Sequence, residues 1–182
     1  MKLSRLLLLT TALVLLSNPL NAADRPEVEI TTNLQQLGEL ARERKLPILL
    51  LFSSWGCPYC MRVKDEFLVP LLINRRYRER VIIREFLTDE IEDIRDFDGS
   101  LTTANAVTQH YGVFVSPTLL YLDNQGKEVA ERQTGLTTPE FYSAYIDESI
   151  HQSLVQITER TEQQNSLQLS PRTLETLVPE SR

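Results

Sequence analysis

Two cysteines are all that this 182-residue chain contains, Cys57 and Cys60, with two residues between them. A fold stapled by several disulfides is therefore excluded. A structural zinc site is excluded as well, because tetrahedral zinc needs two further Cys or His ligands near another turn. The two histidines, His110 and His151, lack clustered Cys, His or carboxylate neighbours and read as surface residues, so no metal is expected. Positive charge is also short: 19 Lys and Arg face 25 Asp and Glu, for a net charge of −6. That balance argues against nucleic acid and anionic membrane surfaces as partners. No internal repeat is present. The apolar stretch Leu6–Leu16 falls short of the roughly 20 residues that span a bilayer.

What the chain does have is a Cys-x-x-Cys pair where a strand hands over to a helix. Pro47-Ile48-Leu49-Leu50-Leu51-Phe52 reads as a fully buried strand and Met61–Leu68 as a helix, with Trp55-Gly56-Cys57-Pro58-Tyr59-Cys60 between them. Cys57 then falls at a helix N-terminus, where unpaired N–H groups and the positive end of the dipole favour thiolate over thiol. Thiolate is the form that attacks disulfides. A purely structural bridge across so short a loop would remove little unfolded-state entropy and stabilise weakly. A redox dithiol is the reading that uses the placement.

Lys2 and Arg5 flank the start of the apolar stretch, and Leu20-Asn21-Ala22 closes on a small residue. Residues 1–22 therefore read as a signal peptide, with an uncleaved membrane anchor as the alternative. No cysteine follows the apolar stretch at the cut, so there is no lipoprotein signal. Export to the periplasm is expected, into surroundings that oxidise thiols. A protein with a single pair there is expected to handle disulfides for others. Losing Lys2 and Arg5 makes the mature chain two charges more negative. Residues 23–151 are expected to form one domain with an ordinary core. Residues 152–182, rich in Gln, Ser, Thr and Glu, are expected to be a loosely ordered tail, a second terminal helix being the alternative.

In chain order, Val28–Ile30 reads as a short first strand. Thr32 or Asn33 caps a helix carrying Leu34, Leu37, Leu40 and Ala41, which ends near Lys45. Pro70 must kink or restart the helix that follows Cys60. Leu71–Arg80 forms a basic helical piece; Arg75, Arg76, Arg78 and Arg80 read as a solvated face, or as a docking patch for an acidic partner. Val81–Leu87 is the next strand, residues 88–103 an irregular acidic surface insertion, and Ala104–His110 a short helix. Thr118–Leu122, the turn Asp123-Asn124-Gln125-Gly126 and Glu128–Gln133 make a hairpin. A last helix from Pro139 presents Phe141, Tyr145, Ile146 and Ile150 on one face. This order predicts an α/β fold with a central mixed sheet of four to five strands flanked by helices on both faces.

Residues 28–150 resemble the thioredoxin family. The resemblance is carried by the Trp55–Cys60 motif, Tyr111-Gly112-Val113, Ser116-Pro117-Thr118, the Asp123–Gly126 turn and Gly135, in this order. The break at Pro70 and the acidic insertion look more like the exported thioredoxin-like proteins of the SoxW type than a minimal cytosolic thioredoxin. The resemblance implies a thioredoxin-like fold and thiol:disulfide oxidoreductase activity without a bound cofactor. Cys57 would be the attacking cysteine and Cys60 the resolving one. Pro117 would be a cis-proline lying against the disulfide, with the Ser116 backbone pairing with an extended substrate segment. Protein disulfides would be the substrates and a membrane-bound protein the electron donor, and the chain is expected to be a monomer. Glutaredoxins share Cys-Pro-Tyr-Cys, but Leu119–Val129 lacks their Gly-Gly glutathione site.

One position departs from the family. Thioredoxins carry a buried aspartate six residues before the first cysteine, and here that position is Leu51. Val81, Ile83, Glu85 and Leu87 share one strand face by the period of two. Glu85 is thus a candidate to supply the carboxyl for proton transfer; a carboxylate reaching solvent at a strand end is the alternative. Ser116 is placed to donate its hydroxyl to the Cys57 thiolate and make the disulfide more oxidising, or to be ordinary loop polarity. Trp55, Pro58 and Tyr59 are candidates to contact substrate peptide, Trp55 and Tyr59 as an apolar rim, with partial core packing as the alternative for Trp55. Reduction of protein disulfides is the expected direction. Oxidation of thiols and a chaperone-like peptide-binding module stay open beside it.

Overall fold

In a computed structural model that describes residues 26–174, with side chains through residue 166, the strand Ile48–Ser53 (β1) is buried at all six positions. The signal-peptide reading of residues 1–22 lies outside the described residues. Strand Ile82–Leu87 (β2) pairs with β1 in parallel, from Ile48 opposite Ile82 to Ser53 opposite Leu87. After a hairpin of Ile94–Arg95 (β3) and Leu101–Thr102 (β4), strand Thr118–Leu122 (β5) lies antiparallel on the other side of β1, and Gln133–Thr134 (β6) closes that edge. The result is a mixed four-stranded sheet in the order β2-β1-β5-β6, the expected architecture.

Because successive strand side chains point to opposite faces, β1 feeds two cores. Leu49 and Leu51 pack with Val63, Phe67, Leu68, Ile83, Tyr121 and Ile146. Ile48, Leu50 and Phe52 pack with Leu34, Leu37, Phe86, Val107 and Leu120. Each such side chain contributes about 1.5–3 kcal/mol by leaving water, so the strand leading into the motif is firmly anchored on both faces.

The helices follow their end signals. In helix Leu34–Arg44 (α1) the Asn33 side chain accepts the Gln36 N–H at 2.9 Å, and Lys45 ends the helix in a left-handed conformation at φ 56°. Helix Pro58–Val63 (α2) runs through a π-helical turn, Lys64–Leu68, into Val69–Ile73 (α3). The expected kink at Pro70 is absorbed there. Proline has no N–H and its ring crowds the carbonyl four residues back; the widened turn, closed by the Val69 N–H on the Lys64 carbonyl, makes room. The basic piece breaks at Asn74, whose side chain caps the short Arg75–Arg78 (α4). Ala104–His110 (α5) forms as expected.

Four expectations need correction. Residues 88–103 are not irregular throughout: they include the β3–β4 hairpin, whose Ile94 is fully buried and whose Phe97 packs on the core, with Arg95 N bonded to Thr32 O at 2.9 Å. The expected Glu128–Gln133 strand shrinks to β6 because only Val129 and Glu128 reach Tyr121 and Leu122 before it. The expected first strand reduces to a single bridge, Ile30 opposite Glu85. The last helix, Pro139–Leu174 (α6), does not loosen at Gln152. Ser153 is fully buried on it, and Arg160 Nη1 meets Asp123 Oδ2 at 2.8 Å, which ties the tail to the turn after β5. Its buried stripe is Tyr142, Ile146, Ser149, Ile150 and Ser153; Phe141 and Tyr145 lie one residue off that seam and face solvent.

The turn after β5, with the β3–β4 hairpin beside it, explains why a glycine sits inside α1. A Cβ on Gly38 would lie 2.5 Å from the Asn124 carbonyl oxygen and 3.2 Å from the Phe97 ring. Gly38→Ala, which would gain about 1 kcal/mol on an open helix, is expected instead to destabilise by about 1–3 kcal/mol through overpacking. A urea denaturation midpoint that moves upward would overturn this account.

Candidate functional site

The site begins where β1 ends. Gly56 takes φ +68°, which side-chain-bearing residues rarely adopt, and turns the chain so that Cys57 becomes the N-cap of α2. Pro58 fills the first helical position, where a missing N–H costs nothing. Cys57 Sγ accepts the Cys60 N–H at 3.2 Å, so the sulfur occupies the place of a capping side chain among unpaired helix N–H groups. The two sulfurs form a disulfide, with Cα atoms 5.3 Å apart. Cys57 is half-buried at the surface and Cys60 lies beneath it at 2 % exposure. The pair is thereby asymmetric: one sulfur can be reached by a partner and the other cannot.

The Ser116–Pro117 peptide is cis, and Pro117 is buried directly before β5, which opens at the sheet end where β1 closes. The Ser116 hydroxyl makes no hydrogen bond among the described residues, so the expected bond to the Cys57 sulfur is absent in this oxidised form. Trp55 is 68 % exposed, which removes core packing as its role; Pro58 and Tyr59 are exposed beside it. Its backbone N–H donates to both Asp89 oxygens, at 3.0 and 3.2 Å, pinning the turn before Cys57 to the loop after β2.

A charge cluster joins β1, β2 and the π-helical turn after α2. Glu85 sits opposite Leu51 in the β1–β2 register and is 2 % exposed, so the carboxylate does not reach solvent. Both its oxygens are engaged: Oε1 accepts from Ser53 Oγ at 2.5 Å, and Oε2 faces Lys64 Nζ at 2.8 Å. A buried carboxylate persists only with such partners. Lys64 follows Cys60 by four residues and so shares its helix face, which links the carboxylate's ion-pair partner to the helix that carries the buried sulfur. A cavity of about 280 Å³, lined by Val28, Ile30, Met61, Lys64, Asp65 and Glu85, opens beside this ion pair.

The sequence names Cys57, Cys60, Trp55, Pro58, Tyr59, Glu85, Ser116 and Pro117 as candidates; it does not name Ser53, Lys64 and Asp89, which hydrogen-bond to Glu85 or Trp55 here. For Lys64 the four-residue step from Cys60 was a usable signal. Ser53 is on the same β1 face as Leu51 by the period of two. Nothing local marks Asp89.

Fold and site together define a thiol–disulfide oxidoreductase: a surface sulfur at a helix N-terminus, bonded to a buried sulfur one turn on. The chain belongs to the thioredoxin-like domain family, whose model matches residues 34–150. No curated protein sequence matches it. Among solved structures, a Malassezia sympodialis thioredoxin superposes with a TM-score of 0.50 at 16 % identity, covering 69 % of this chain and 93 % of its own. A poplar thioredoxin h gives 0.49 at 16 % identity, covering 67 % and 96 %. A Fasciola hepatica thioredoxin gives 0.46 at 19 %, covering 69 % and 99 %.

Proposed function

We propose that the protein is an exported reductase of protein disulfides, of the SoxW-like kind, held reduced by a membrane-bound electron donor. The observation that carries the reading is the asymmetry of the pair, Cys57 at the surface and Cys60 buried, on a thioredoxin-like fold. The Cys57 thiolate attacks a substrate disulfide, forming a mixed disulfide and expelling one substrate thiolate. Cys60 then attacks Cys57 Sγ, which releases the second substrate thiol and closes the Cys57–Cys60 bond. Two electrons pass from the dithiol to the substrate, and the donor returns them. No bound cofactor takes part. Glu85 takes the proton that Cys60 must lose to attack, with Lys64 and Ser53 holding the carboxylate in place. Trp55, Pro58, Tyr59, Ser116 and Pro117 form the surface on which the substrate segment lies. Lys2 and Arg5 before the apolar Leu6–Leu16 support export to the periplasm. The protein acts there as a monomer.

Cys60→Ala is the decisive variant. It is expected to accumulate mixed disulfides through Cys57 with periplasmic proteins, resolved by adding dithiothreitol and identified by mass. If Cys60→Ala captures nothing under conditions where alkylation shows Cys57 reduced, the reading fails. Direction is set by the reduction potential against glutathione. A value near about −270 mV accords with a reductant, and one near about −120 mV would make the protein an oxidant.

A further inference from the structure

The end of the sheet that carries the disulfide also carries large apolar side chains with little to cover them. Ile91 is 96 % exposed, Phe114 88 % and Trp55 68 %. Their placement follows from topology. Parallel β1 and β2 end side by side, Ser53 opposite Leu87, and antiparallel β5 begins there, Thr118 opposite Phe52. The loops holding Trp55, Ile91 and Phe114 therefore rise from one edge, around Cys57.

The loop after β2 is braced. Thr88 bonds the Ser53 carbonyl through its N–H at 2.8 Å and its hydroxyl at 3.0 Å. Asp89 holds the Trp55 N–H, and Glu90 Oε1 accepts the N–H groups of Ile91 and Glu92 at 2.8 and 3.3 Å. Ile91 thus stands outward beside the braced turn, almost wholly in water. Glu92 and Asp93 beside it enter no ion pair among the described residues. The Ser116 N–H and C=O are likewise unbonded among the described residues, free to pair with an extended chain.

We propose that this edge selects its substrates by sequence: it takes an extended protein segment with an apolar side chain next to the attacked cysteine, against Phe114 and Trp55, and Lys or Arg beyond it, against Glu92 and Asp93 around Ile91. The inference rests on the reductase reading above. Apolar contact near the sulfurs supplies affinity, and opposite charge at the rim supplies approach and orientation.

The test compares three disulfides reduced by the full protein with dithiothreitol as donor: hydroxyethyl disulfide, and two short peptides each holding one cysteine as a mixed disulfide with mercaptoethanol. One peptide flanks its cysteine with leucine and lysines, the other with serine and glutamates. The wild type is expected to favour the first peptide by about tenfold in kcat/KM, an advantage that shrinks as salt rises. Phe114→Ser and Ile91→Ser should each cut that ratio. Glu92→Lys with Asp93→Lys should move it toward the acidic peptide. Equal kcat/KM for both peptides, or a ratio that survives all three variants, overturns the proposal while hydroxyethyl disulfide turnover still stands. Failure of the wild type on hydroxyethyl disulfide as well overturns the reductase reading and this inference with it.

Discussion

Cys57→Ser is expected to lower turnover of a protein disulfide by several orders of magnitude, as loss of a nucleophile does, with the far-ultraviolet spectrum unchanged. A serine hydroxyl stays protonated at neutral pH where a thiol at a helix N-terminus ionises. Cys60 cannot replace it, because its sulfur lies beneath the surface at 2 % exposure. The folded state should lose little, since the bond closes a loop of only two intervening residues and so constrains the unfolded chain weakly. Stopped-flow reduction of insulin or of a dye-labelled disulfide checks the rate, and urea unfolding checks the stability. Turnover within an order of magnitude of wild type in Cys57→Ser would mean that the buried sulfur attacks, and the asymmetry on which the mechanism stands would be wrong.

Glu85→Gln is expected to have two separable effects. The amide keeps an acceptor for the Ser53 hydroxyl but leaves Lys64 Nζ without its carboxylate. Lys64 is 29 % exposed and can turn to water, so the cost belongs at the low end for a broken buried pair, about 1–3 kcal/mol. The second effect follows from the proton-transfer role proposed for Glu85: with no carboxylate to take the Cys60 proton, release of the mixed disulfide should slow on the order of 10². The mixed disulfide should then accumulate, and its decay should steepen with rising pH as hydroxide takes over. A control distinguishes chemistry from packing. Glu85→Leu with Lys64→Met removes both charges and should recover much of the stability while leaving resolution slow. Fast resolution in that double variant would reduce the cluster to a structural role.

Much of this was legible along the chain because the signals were local. The buried run of β1, the Thr118–Leu122 strand and the cap of α1 are short-range patterns of apolarity and end residues. The cysteine pair announced itself by its spacing together with its place between a buried strand and a helix. What escaped reading depends on partners brought together from far apart. Ile94 and Phe97 sit in an acid-rich run whose strands are two residues long, too short to show a period of two. Phe141 looked inward because it is large and apolar, yet the seam of α6 passes through Tyr142 and Ser149, a choice made by what faces the helix. Glu85 was findable from its strand face, but whether it met water or a lysine was decided by Lys64, 21 residues earlier in the chain.

The unbroken burial of β1 has a consequence for how the site ages. Its amides lie between two neighbouring strands with no exposed position from Ile48 to Ser53. Such amides trade hydrogen with solvent only when the whole domain opens. Cys57 hangs four residues beyond that strand, so its geometry is inherited from the last part of the molecule to come undone. The reactive sulfur should keep its setting for as long as there is a folded protein to hold it.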